Sequence, residues 1–431
     1  MVRRNVLLFV LLALTTVAVV QQWPRRPAKS KAQFDSELMQ ELRENSDVGR
    51  MLDLSASAWR DGPAGLEAEL GSPNSRLRYW AAFSVGTGPS RGAPADDGMA
   101  KAWRDRLVRV LEEDRSGVVR GAAAFSLAML VRDRRLEHAP ATLLEQLPSL
   151  LADEESRFHA CLAVVWLGAH ARELLDDVLE LRNDDEVRVT MCMALGRMGI
   201  ADERVVRFLL RALRDVDEGV RSSAAEALGQ LGVDSPDARR ALRARFEDED
   251  EHAHVRGAAL LAVSSAVTQH ERATELLLET LRMRGAFEGE DLLTWVRCVV
   301  ATARHVQDDA LQRAAVRALQ EARHEDVFRY PDGAIPGAIA QLACAFRDEA
   351  LLAEVLPALM SVSSGLEIAR HDVMGGESAW RLTFEGLVDA VVWQRDDVLR
   401  GSVRADLRRI IDRGHFDVRA WAEPLLARLD A

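Results

Sequence analysis

Apolar residues recur at helical spacing from about residue 34 almost to Ala431, and no stretch alternates in the strand manner. The clearest window runs from Asp202 to Gly232. Asp202 opens a first helix through Leu213, Asp215 to Glu218 form a turn, and Val220 to Leu231 make a second helix closed by Gly232. Ser235 and Pro236 then begin the next unit with a cap residue and a proline at the first helical position. Within the second helix Val220, Ala224, Ala227, Leu228 and Leu231 fall on one face. Its small residues allow close helix approach, and its leucines fill the layer.

The pattern is periodic on a larger scale. Asp184 to Gly199 reads DDEVRVTMCMALGRMG, and Asp217 to Gly232, thirty-three residues later, reads DEGVRSSAAEALGQLG. Seven positions agree: Asp, Val, Arg, Ala, Leu, Gly and Gly. With the arginine as landmark, Arg78, Arg120, Arg157, Arg188, Arg221, Arg256 and Arg297 follow one another at 42, 37, 31, 33, 35 and 41 residues. Each interval holds two helices of about a dozen residues and two turns. Such a period marks a stacked helical array in which each unit buries its apolar face against its neighbours. The fold class expected is all-α: an α-solenoid forming a right-handed superhelix of about ten antiparallel helix pairs.

The phrase resembles HEAT repeats, specifically the short HEAT-like type of the phycobilin lyases. The matching residues are Asp217, Val220, Arg221, Ala227, Leu228, Gly229 and Gly232. Units five and six carry it most fully. Those around Arg120, Arg157 and Arg256 carry it in looser form, with Ser156 in place of Val and Ser264 in place of the first Gly. Strictly, the resemblance covers about half of the chain. It implies a HEAT/armadillo-like solenoid and protein-binding work, and no chemistry of its own.

The expected domains are residues 1–23 as a signal peptide or single transmembrane anchor, 24–33 as a tether, 34–306 as HEAT-like repeats and 307–431 as degenerate C-terminal helical repeats. Arg3 and Arg4 precede an apolar run from Val6 to Val20, which Trp23, Arg25 and Arg26 follow. That is the layout of an export signal or a short membrane anchor. The expected placement is therefore membrane-anchored through residues 6–20, with the solenoid on the exported side, or secreted if the signal is cleaved. Two segments depart from the repeat grammar, 323–336 and 361–378, and interruptions of this kind either carry specificity or mark degenerate repeats.

Charge narrows the partners. Acids outnumber bases 68 to 56 in the 431 residues, for a net charge of −12, which works against long-range attraction to phosphate backbones. Nucleic acid is not an expected partner, and no small-molecule substrate is evident. No phosphate-cradling glycine loop, nucleophile elbow, HExxH helix or paired-cysteine pattern occurs. Cys161, Cys192, Cys298 and Cys344 read as free thiols. The run Glu247 to His254 (EDEDEHAH) is metal-like in composition but precedes a helix, where acids meet the positive helix end. His159, one residue removed from Cys161's neighbour, points away from it. No enzyme activity, metal or cofactor is expected.

The recurring Arg120, Arg157, Arg188, Arg221 and Arg256 read as a structural ladder, each reaching acids or carbonyls of its own or the neighbouring turn. Gly196 and Gly229 belong to the same structural grammar. In solenoids of the HEAT type the second helices line the concave wall. The slots one, five and nine residues after the landmark arginine should then face the groove. In unit six they are polar: Ser222, Glu226 and Gln230. In units two to five they are Tyr79 and Phe83, Phe125 and Met129, Phe158, Leu162 and Trp166, and Val189 and Met193. An apolar stripe across four units is what a docking groove for a protein segment requires; the competing reading is that tight superhelical curvature, or the anchor-proximal segment folding back, buries these residues internally. The expected function is a non-catalytic scaffold or adaptor. A chromophore-attaching lyase or lyase subunit, and a nucleic-acid-binding array, are the alternatives.

Overall fold

The computed structural model describes residues 54, 58, 61–87 and 97–430 apart from short stretches, of which 266–269, 326–333 and 365–375 are the longest. The turns Pro63–Leu66 and Glu67–Leu70 lead into α1 (Ser75–Thr87). Then follow α2 (Asp97–Glu113) and α3 (Gly117–Arg132), α4 (Ala141–Ala152) and α5 (Arg157–Leu167), α6 (Leu175–Glu180) and α7 (Arg188–Met198). The next pairs are α8 (Glu203–Ala212) and α9 (Glu218–Gln230), α10 (Pro236–Phe246) and α11 (Ala253–Ser265), α12 (His270–Arg282) and α13 (Asp291–Ala303). The chain closes with α14 (Asp309–Glu325) and α15 (Ala334–Phe346), α16 (Glu349–Ser364) and α17 (Gly376–Gln394), α18 (Asp397–Arg413) and α19 (Phe416–Asp430). Among the described residues there is no strand.

Local chemistry sets these boundaries. The Asp202 carboxylate accepts from the Arg204 amide, Asp217 from Val220 and Ser235 from Ala238, each satisfying an amide that the first helical turn leaves without a partner. At the other end Gly199 adopts φ 68°, the left-handed conformation that ends α7, and Gly232 repeats it after α9. The two glycines of the repeated phrase thus have separate tasks. A Cβ on Gly196 would lie 2.9 Å from Ala227 Cα, so the first glycine permits close contact between α7 and α9, as Gly229 does between α9 and α11.

The odd-numbered helices pack one on the next from α1 to α19, whereas the even-numbered helices pack mainly on odd ones and touch each other little. One layer is therefore tight and the other splayed. The array curves with the odd, second helices on its concave side. Curvature is strong enough that α13 meets α17 across the intervening helix. The molecule is an all-α solenoid.

The arginine ladder stitches the units. Arg78 meets Asp114 at 2.6 Å, Arg120 meets Asp153 at 3.3 Å, Arg157 meets Asp184 at 2.5 Å and Arg188 meets Asp215 at 3.0 Å. Arg221 grips Glu251 through two nitrogens, at 2.5 and 2.8 Å. In each case the acid lies in the turn of the following unit. The guanidinium also donates within its own turn: Arg120 to Asp114 O, Arg157 to Leu151 O, Arg221 to Asp215 O and Arg256 to Phe246 O. Asp184 and Asp217 align in sequence yet differ in role. Asp184 pairs with Arg157, while in unit six Asp215 takes the pairing and leaves Asp217 to cap α9.

Two expectations need revision. The fifth unit lacks a full first helix: a 3₁₀ segment, Gly168–Leu174, precedes the short α6. This accounts for the 31-residue spacing there, the shortest in the chain. The expected membrane anchor is overturned, since among the described residues no helix is long and apolar enough to cross a membrane. The longest, α17, carries Glu377, Arg381, Glu385 and Asp389, whereas a span needs about 20 predominantly apolar residues. The run 6–20 lies outside the described residues, as does most of the two interrupting segments 323–336 and 361–378.

Candidate functional site

The nine stripe residues all sit on inner-wall helices, but the structure divides them. Phe83 on α1 and Phe125 on α3 are buried, each 6% exposed. Their rings stack on each other with centroids 4.9 Å apart and planes 14° from parallel. Tyr79, Met129, Phe158, Leu162, Trp166, Val189 and Met193 are half-buried and pack against the core. Tyr79 continues the stack onto Phe83 at 5.6 Å.

His159 on α5 is the centre of this cluster. Its ring lies edge-on to Tyr79, Phe83 and Phe158 at 5.4, 6.0 and 5.5 Å. Its Nε2 shares a hydrogen bond of 3.1 Å with the Tyr79 hydroxyl, joining α1 to α5 past α3. Its Nδ1 is buried and has no hydrogen-bond partner among the described residues. Burial without a charged partner pushes the imidazole pKa down to about 4, so the ring is neutral at neutral pH. The same burial raises the Tyr79 hydroxyl above its ordinary value. Sequence spacing gave no hint of this role, because the contacts come from helices two apart in the stack.

The chemistry changes along the wall. The guanidiniums of Arg132 on α3 and Arg197 on α7 both lie over the ring of Trp166, at the end of α5, 4.7 and 4.8 Å from its centroid. On α9 the corresponding slots are the buried Ser222 and the exposed Glu226 and Gln230. Glu226 is open to water yet crowded by protein. Desolvation raises its carboxyl pKa, opposed by Arg197 and Arg297. On α11 the slots are buried Gly257, half-buried Leu261 and exposed Ser265.

Elsewhere the chemically suggestive residues are engaged structurally. Glu251, from the acidic run, is held by Arg221 and by Arg245 at 3.2 Å, and Glu247 by Arg243 at 2.5 Å. His252 and His254 lie 5.5 Å apart, ring to ring. Among the described residues no group of three or more His, Cys, Asp or Glu is arranged to hold a metal ion. Cys161, Cys192 and Cys298 are free and buried, and burial pushes their thiols up to about 12. An outer-layer cleft between α8 and α10 is lined by Leu213, Arg214, Asp237 and Arg240 among others, a set without a nucleophile–base pair.

Comparison with known proteins agrees with this architecture at its centre. Residues 173–264, from α6 through most of α11, match the family described as HEAT repeats. That window contains both copies of the repeated phrase. Over the whole chain a similar solved structure is the crystal structure of an engineered protein, 15% identical, covering 85% of this chain and 98% of that one. Its TM-score is 0.40, too low for the arrangement to be equated unit by unit. No curated protein matches. The class defined is thus an all-α solenoid with HEAT-like repeats at its core. The finer likeness to the phycobilin-lyase type gains no support from these comparisons.

Proposed function

We propose that this solenoid is a non-catalytic scaffold that holds a segment of a protein partner along the N-terminal half of its concave wall. The observation that carries this reading is the change in the same slots from Ser222, Glu226 and Gln230 on α9 to Phe158, Leu162, Trp166, Val189 and Met193 on α5 and α7, all half-buried. Half-buried apolar side chains on a concave surface lose their remaining water when a partner covers them, the usual origin of interface hot spots. Phe83 and Phe125 serve the reading indirectly, since they fix the floor on which the others stand. The service that HEAT-type repeats commonly perform, holding other proteins, points the same way.

The test uses the full chain. Capture of partners by the intact protein is compared with capture by Leu162→Asp/Met193→Asp, two half-buried positions at which a charge leaves the buried stack intact. Circular dichroism confirms that the variant remains helical. Loss of the captured proteins is expected. Retention of every partner by the folded variant contradicts the reading. Phe125→Asp is the poorer choice, because a charge at a buried ring threatens the fold itself.

A further inference from the structure

The cleft between α8 and α10, on the outer layer, encloses about 400 Å³ over a floor of Leu210, Leu213, Ala241 and Ala244. α8 and α10 run in the same direction, because α9 returns the chain between them. Arg214, just past α8, and Arg245, in the last turn of α10, therefore line one end of the cleft. Asp237 and Arg240, 3.7 Å apart at the start of α10, line the other. Arg214 is exposed, and its guanidinium has no partner among the described residues. Arg245 gives one nitrogen to Glu251 at 3.2 Å, and Glu251 is also held by two nitrogens of Arg221. This end thus keeps an unneutralised guanidinium in a chain whose net charge is −12, while Asp237 disfavours an anion at the opposite end. Compensation of the helix dipole does not account for Arg214, since Arg211 already occupies the last turn of α8. A cavity of this size, apolar with a few placed charged groups, has the usual make-up of a small-ligand site.

We infer that this cleft binds an aliphatic carboxylate, its head paired by Arg214 and its chain laid over Leu210, Leu213, Ala241 and Ala244 towards Asp237. A planar guanidinium can take a carboxylate through two nitrogens, and the apolar floor shields the chain from water. Two sources share this chemistry: a free fatty acid and the C-terminal residue of an apolar peptide. The site lies on the outer layer, so it neither requires nor tests the concave groove.

Isothermal titration of the full-length protein with decanoate, below its micellar concentration, tests this directly. Binding should tighten roughly tenfold from hexanoate to decanoate as further methylenes reach the floor. It should weaken roughly tenfold in Arg214→Gln and largely survive in Arg214→Lys, which keeps the charge. Ala244→Glu, at an exposed position, should abolish it by setting a second acid in the cleft. Decanol should bind roughly tenfold more weakly than decanoate. A short peptide ending in leucines, with its C-terminus free or amidated, separates the sources. A free peptide that binds more tightly than decanoate and loses binding on amidation assigns the cleft to a chain terminus, and the opposite order assigns it to a free fatty acid. Equal binding of decanol and decanoate overturns the inference. So does binding that Arg214→Gln and Ala244→Glu both leave unchanged, or the absence of saturable binding by either carboxylate.

Discussion

The inner wall is built twice on one frame with opposite surfaces. On α9 the groove slots hold Ser222, Glu226 and Gln230, and the helix is stabilised by its cap, its small-residue face and the Arg221–Glu251 pair. On α1, α3 and α5 the equivalent slots hold Tyr79, Phe83, Phe125, Phe158 and Trp166, and the helices are joined through those side chains as well. The frame is the same in both regions, because the arginine ladder runs unbroken from Arg78 to Glu251. Repeats separate two demands: residues facing the neighbouring unit are held constant in kind, and residues facing the groove are free to differ.

That contrast is open to attack in several places. The largest effect is expected in the aromatic region, where Phe83→Ala removes a buried ring stacked on Phe125 and should cost about 3–5 kcal/mol in urea unfolding. A cost below about 1 kcal/mol would mean that the cluster is surface decoration.

Next comes acidity. His159 has a folded pKa of about 4, lowered from 6.5 by burial. Its neutral form is favoured by folding, so the contribution is complete above about pH 6.5 and declines as pH falls toward 4. Acid titration of stability in the wild type should show a loss of up to about 3 kcal/mol across that window that His159→Phe lacks. Parallel pH profiles for the two proteins would contradict the burial of this imidazole. Two carboxylates of the ladder, Asp114 and Glu251, are held below their ordinary values by Arg78 and Arg221 against the opposing effect of burial.

The frame should respond more moderately. Arg221→Ala leaves Glu251, whose side chain is 3% exposed, with Arg245 and the His252 amide, and should cost about 2 kcal/mol. The smallest effect belongs to the polar slots: Gln230→Ala, at an exposed position, should change stability by less than about 0.5 kcal/mol. A reversal of this order between α1–α5 and α9 would erase the distinction.

Much of the frame was legible in the sequence because it is written in local terms. Asp202 opens its helix and Ser235 caps where expected, Asp217 caps α9 from within the expected turn, and the landmark arginines reach both their own turn and the next. The groove was legible only as a list of slots. Burial of Phe83 and Phe125 follows from superhelical curvature, a property of several units together that no single unit encodes. The Tyr79–His159 bond, which skips a helix, has the same origin. The broken first helix of unit five escaped notice because Gly168–Leu174 contains no proline and keeps its apolar residues at helical spacing. The N-terminal run led to a membrane placement that no described helix supports.

On the proposed function, the partner lies against the apolar half of the concave wall and not the polar half. Photo-crosslinking in cells, with a photoreactive residue placed at Leu162 in one variant and at Gln230 in another, addresses it most directly. The claim predicts a discrete covalent adduct from position 162, and little or none from position 230. Equal adducts from both positions, or an adduct from 230 alone, would contradict it.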